Sequence, residues 1–146
     1  MRSTLQMIAV ATAVLAGCAS GPRYTEVRPS MPALGDGKGR ILFYRTANVF
    51  GSGIQPDVKL NGKVVGSAQP GGFFYMDVPA DNYEVVLSTE VDKKLTFALG
   101  ANEEKCVRLS VGLGVVVYRV YPEMATPETC EKEIPDTSFI GQAKGK

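Results

Sequence analysis

Residues 57–66 read DVKLNGKVVG: two short runs rich in Val and Leu around an Asn61-Gly62 pair. Asn-Gly accepts positive φ at both central positions of a type I′ turn, the turn whose twist matches that of a two-residue β-hairpin. The register this predicts sets Val58 opposite Val65 and Leu60 opposite Lys63, so one face of the hairpin is mostly apolar. A hairpin cannot stand alone in water, so the rest of the chain must supply more strands to cover that face.

The flanking sequence does so. RILFYR at 40–45 is apolar on both faces, which suits a central strand covered on each side. GFFYMDV at 72–78 follows Pro70-Gly71. NYEVVLSTE places Tyr83, Val85 and Leu87 on one face, and KKLTFAL places Leu95, Phe97 and Leu99 on one face. KCVRLSV does the same with Val107, Leu109 and Val111, and VVVYRVY at 115–121 returns after Gly112-Leu113-Gly114. Short runs at this spacing, separated by Gly, Pro and Asn, predict an all-β fold: one antiparallel β-sandwich of about seven to eight strands over residues 40–135.

One short helix is expected near the end. Thr126 can cap it, Pro127 fits its first position, Glu128 suits the positive end of its dipole, and Pro135 stops it. The tail at 136–146, small and polar apart from Phe139 and Ile140, is expected to fray.

The chain has three cysteines. In the expected hairpin of residues 105–121, Tyr121 ends beside Lys105, and a short loop to the helix brings Cys130 back near Cys106. Cys106 alternates away from Val107, Leu109 and Val111, and Cys130 shares a helix face with Ile134. A Cys106–Cys130 disulfide would staple helix to sheet; two separate buried thiols are the alternative. Cys18 is then left over.

Its surroundings give it a different role. Arg2 and a short apolar run from Met7 to Leu15 make an N-terminal export signal, about half the length a helix needs to cross a bilayer. The signal ends in LAGC, residues 15–18, which resembles the lipobox of bacterial lipoproteins. The resemblance implies cleavage before Cys18 and a lipid on its sulfur, with palmitate-type acyl chains as the membrane anchor. Residues 1–17 would be the signal peptide, and the Pro- and Gly-rich residues 18–39 a flexible tether. Arg2 is the only charge in the signal, so its removal takes the formal net charge from +1 to zero. A neutral chain has no overall electrostatic reason to bind nucleic acid or an anionic bilayer surface, so attachment is expected to rest on the acyl chains.

The sequence contains no His, which excludes Ser–His–Asp and Cys–His catalysis and His-bearing metal sites. Asp57, Asp77, Glu90, Asp92, Glu103 and Glu104 could supply a carboxylate pair, but they fall at strand ends and turns, where solvated carboxylates normally lie. GDGKG at 35–39 lacks the Lys-Ser/Thr and preceding strand of a phosphate loop. Lys93 and Lys94 read as a solubilising turn. Arg45, Arg108 and Arg119 could form an anion site; pairing with neighbouring Glu residues is the simpler reading. Phe73, Phe74 and Tyr75 read as core, and the lack of Trp weakens a case for stacking on sugars.

Taken together, GRILFYRT, QPDVKLNGKVVG, GGFFYMDVP, STEVDKKLTF, VRLSV and RVYPE resemble a family of small bacterial lipoproteins of unknown function. The likeness runs from residue 39 to about 134, and the VKLNGKVVG hairpin resembles that of prealbumin-like β-sandwich modules. The resemblance implies a lipid-anchored cell-envelope domain without an assigned activity. In a host with two membranes, Ala19 rather than Asp after the Cys directs such proteins to the outer one. The expected function is therefore a non-enzymatic structural or protein-interaction module, with no cofactor, no metal and no nucleic-acid partner. The alternative is a binding module for a small molecule or glycan.

Overall fold

The computed structural model describes residues 18–141. Nine strands form two sheets, and one short helix lies near the C-terminal end, so the all-β sandwich expected from the sequence is present. The strands are β1 (Lys38–Tyr44), β2 (Asp57–Leu60), β3 (Lys63–Ser67), β4 (Gly72–Pro79), β5 (Asp81–Ser88), β6 (Asp92–Leu99), β7 (Glu104–Leu113), β8 (Tyr118–Met124) and β9 (Ser138–Phe139). The five-stranded sheet has the order β8-β7-β1-β4-β9 and the four-stranded sheet β3-β2-β5-β6. Most pairs are antiparallel, but β1–β7 and β4–β9 are parallel, which the sequence reading did not anticipate. β1 sits in the middle of its sheet, between β4, which runs antiparallel to it, and β7, which runs parallel.

β1 is covered on both faces, as its doubly apolar sequence requires. Ile41 and Phe43 point into the main core between the sheets, with Val58, Val85, Leu87, Phe74 and Val107. Leu42 and Tyr44 point outward into a second core with Phe73, Cys130 and Ile134. The phenyl rings of Phe43 and Phe74 stack at 4.7 Å between centroids.

The Asn61-Gly62 turn has φ of 48° and 82°, the double positive value a type I′ turn needs. Leu60 pairs with Lys63 as expected, but a bulge between Val58 and Lys59 sets Val58 opposite Gly66 instead of Val65. The bulge lets Val65 and Gly66 both lie buried. Gly66 is needed there because a Cβ would lie 2.5 Å from Cζ of Phe74.

Two segments expected to be loose are folded. Within residues 18–39, helix α1 (Tyr24–Val27) and a 3-10 turn (Arg28–Ser30) lie on the outer face of the larger sheet, with Tyr24, Val27 and Met31 packed on the second core. The sequence reading saw prolines and missed that three spaced apolar residues suffice to close one exposed sheet face. Arg40 holds this segment by donating to the Pro32 carbonyl at 2.6 Å while its guanidinium grips Asp77 through Nε and Nη2. At the other end, α2 (Pro127–Glu133) begins as expected, with Thr126 accepting from the Thr129 N–H and Pro127 at its first position. Pro135 sits in a following 3-10 turn, and β9 then adds to the edge of β4, with Thr137 buried. Tail residues 138–139 are thus part of the sheet.

Candidate functional site

The strand directions give the sandwich two poles. β1 ends at Tyr44 level with the start of β4 at Phe73 and with Arg108 of β7. The same pole holds the β5–β6 turn and the tip of the β7–β8 hairpin, while the Asn61-Gly62 turn and residues 100–103 lie at the opposite one. Cys18 is exposed and is at the first pole, because the Ala19 N–H donates to the Pro70 carbonyl at 3.2 Å. The signal peptide expected over residues 1–17 lies outside the described residues.

Cys106 and Cys130 are bridged, with Cα atoms 6.3 Å apart. The hairpin that delivers them differs from expectation. Tyr121 pairs with Ser110 rather than lying beside Lys105, and Val115–Val117 form the turn instead of the start of the returning strand. The bridge forms nonetheless because β8 runs on to Met124, and the Ala125 N–H donates to the Cys106 carbonyl. The disulfide lines an open cleft of about 540 Å³ on the outer face, between α1, α2 and the start of β7. Its wall is mixed: Tyr24, Met124 and Pro127 are apolar, while an Arg28–Glu104 ion pair at 2.6 Å and Glu131 are charged. Burial pushes the Tyr24 hydroxyl above its ordinary pKa.

The candidate anion-binding arginines are not brought together as a site. Arg108 pairs with Glu123 and Glu133, and Arg119 with Glu90. Arg45 departs from the expected pairing with Glu: it is buried, donating Nη1 to the carbonyls of Ile54 and Ala68 and Nη2 to that of Gly51. Burial lowers its pKa. Five of the six carboxylates named from the sequence have structural partners. Asp77 takes Arg40, Glu104 takes Arg28, Asp92 accepts from the Ser88 hydroxyl, and Glu103 accepts from the Gly100 N–H.

Glu90 is the most elaborately held. Its carboxylate accepts from Arg119 Nε at 2.9 Å and from the N–H groups of Val115, Val116 and Val117 at 3.3, 3.1 and 3.0 Å. The Arg119 hydrogen bond, then that from Val117, holds its carboxyl below the usual carboxylate range. A carboxyl whose folded pKa is depressed stabilises the structure above its unfolded pKa and loses that contribution as pH falls through the folded value. The Val115–Val117 amide resonances are therefore expected to titrate together, with a midpoint below the ordinary Glu value, in a proton–nitrogen NMR series. Independent titration of the three amides, or a midpoint above 4.5, would contradict the clamp.

The sequence reading did not find the cleft, since α1 was not foreseen. It also read the apolar run at 115–117 as strand, although Gly112 and Gly114 so close before it mark a wide turn.

A model for a family of proteins of unknown function, DUF2846, matches residues 35–131, from just before β1 into α2. No curated protein and no solved structure matches the chain.

Proposed function

The chain belongs to the DUF2846 family, and from that premise we propose that it is a non-enzymatic cell-envelope lipoprotein, held by a lipid on Cys18 and acting as a protein-interaction module. The observation that carries this reading is the LAGC sequence at 15–18, directly ahead of a folded domain whose Cys18 is exposed. The family likeness drawn from the sequence, to small bacterial lipoproteins, points the same way. In a two-membrane host, Ala19 favours the outer membrane, with the domain in the periplasm.

Metabolic labelling with a palmitate analogue tests the anchor. Wild-type protein should take up label and sediment with membranes, and Cys18→Ala should lose the label and be released. A Cys18→Ala protein that still sediments with membranes after cleavage would overturn the reading.

The cleft between α1, α2 and β7 is the surface we assign to the partner. It is open, apolar and charged by turns, and lies toward the pole opposite Cys18. A photo-crosslinking residue at the exposed Glu131 position should capture an envelope protein in cells. A second reading, a small molecule or glycan in the same cleft, is favoured by the cleft's volume, which falls within the range of small-molecule sites. Co-purification of such a compound, with no protein captured, would select it.

A further inference from the structure

Among the described residues, the most exposed large apolar side chains are concentrated at one place. Val49, Leu113, Val115 and Val116 are 81, 83, 86 and 85% exposed, and Phe50 is 59% exposed. They share the pole that holds Cys18. β7 runs five residues beyond Arg108, the residue level with Tyr44, so its end at Leu113 projects roughly 17 Å past the end of β1 at about 3.4 Å per residue. The loop after β1 packs beside it: Phe50 meets Tyr118 at 5.9 Å between ring centroids, and Gly51 lies against Val111 and Tyr118.

We propose that this tip is a second membrane contact, dipping into the interface of the same bilayer that holds the lipid on Cys18. The proposal rests on the anchor reading above. Three features favour a bilayer over a protein partner. The first is position, since Cys18 and the tip lie at one pole, on opposite sides of β1. Ala19 sits at the β4 edge and the tip on β7, two strand spacings or about 10 Å to the side and up to roughly 17 Å further along the strand axis, so the domain leans to bring both to one bilayer surface.

The second is the backbone. Donors carried past the headgroups toward the acyl chains are costly unless satisfied internally. The N–H groups of Val115, Val116 and Val117 are held by the Glu90 carboxylate, that of Gly114 donates to the Val117 carbonyl at 2.8 Å, and Arg119 neutralises Glu90. The turn presents three valines with none of its amides left open. The third is the rim. Lys93 and Lys94 line a hollow beside Leu113 and Arg119, where they can meet anionic headgroups, and the aromatic rings of Phe50 and Tyr118 suit the interfacial layer. Apolar side chains at such a contact enter roughly 5–10 Å, to the boundary of headgroups and acyl chains.

The chain contains no Trp, so one introduced residue reports its own surroundings. Full-length Val116→Trp and Val64→Trp proteins, produced in a lipoprotein-processing bacterial host, would be reconstituted into phosphatidylethanolamine–phosphatidylglycerol vesicles with acyl chains brominated or not. Val64 is a surface residue on the hairpin that points to the opposite pole. The tryptophan of Val116→Trp should shift to the blue and be quenched by bromine several-fold more than that of Val64→Trp. Equal, weak quenching at both positions overturns the proposal. So does a blue shift that comes only when envelope proteins are added, which makes the tip a protein-docking surface. Mass spectrometry of the same samples separates the two readings: a lipid on Cys18 with an unquenched Val116→Trp overturns the tip alone, whereas an unmodified Cys18 overturns the anchor and the tip with it.

Discussion

Arg45→Met is expected to lower the unfolding free energy by about 3–5 kcal/mol, read as a shift of the urea midpoint at unchanged slope. The reason lies in how the guanidinium is solvated. It is buried at the end of β1, its hydrogen bonds run to the carbonyls of Gly51, Ile54 and Ala68, and no carboxylate pairs with it among the described residues. Two of those carbonyls belong to the loop after β1 and the third to the link between β3 and β4. Removing the cation leaves the Ile54 and Ala68 carbonyls without this donor, while Gly51 keeps the Ile54 N–H at 3.0 Å, and hydrogen bonds to charged groups count for about 1.5–3 kcal/mol each. Arg45→Lys should recover little, because one ammonium cannot match a planar fork serving separate carbonyls. A near-neutral Arg45→Met would mean that the loop keeps its path through its own contacts. A full rescue by Lys would mean that charge alone, without geometry, is what the site needs.

Removing the disulfide as the double variant Cys106→Ser/Cys130→Ser should cost about 3 kcal/mol in the chain-entropy model, for a sequence separation of 24 residues. For a domain of this size that is a fall in melting temperature on the order of 10 °C. The double variant is the proper one, since a single replacement leaves a thiol facing a hydroxyl in the second core. The wild type should show a similar fall on reduction, while the reduced double variant should not move further. Equal melting temperatures for oxidised and reduced wild type would show that α2 docks through Ile134 and the Tyr44–Glu133 hydrogen bond alone.

Much of this fold is legible in the residues, for local reasons. Asn61-Gly62 specifies its own turn, RILFYR specifies a strand buried on both faces, and Thr126-Pro127 specifies a helix start. Each of these signals is complete within a few neighbouring residues. The missed features depend on distant partners. Val115–Val117 have β propensity, but their amides are taken by Glu90, 25 to 27 residues away. Tyr24, Val27 and Met31 have the i, i+3, i+7 spacing of a helix face, but Pro22, Pro29 and Pro32 around them leave it too short to declare a helix; they fold because the larger sheet offers an uncovered face. The bulge at Val58/Lys59 brings Gly66 under the Phe74 ring across the sandwich, a contact with a distant residue that the hairpin sequence does not display. The cleft combines two such surprises, which is why the candidate site was the least legible part.

The folding of residues 23–31 onto the sheet has a consequence for reach. A flexible segment of 21 residues could let a tethered domain roam up to roughly 70 Å from its anchor. With Ala19 bonded at Pro70 and Arg23 bridged to Ser138, almost no leash remains between Cys18 and the sandwich. A domain anchored there behaves less like a float on a line than like a post set in a floor. Cys106 and Leu113 are seven residues apart on β7, so the cleft lies roughly 23 Å from the tip along the strand. If the proposed anchor and tip contact hold, a partner in the cleft works within that distance of the bilayer.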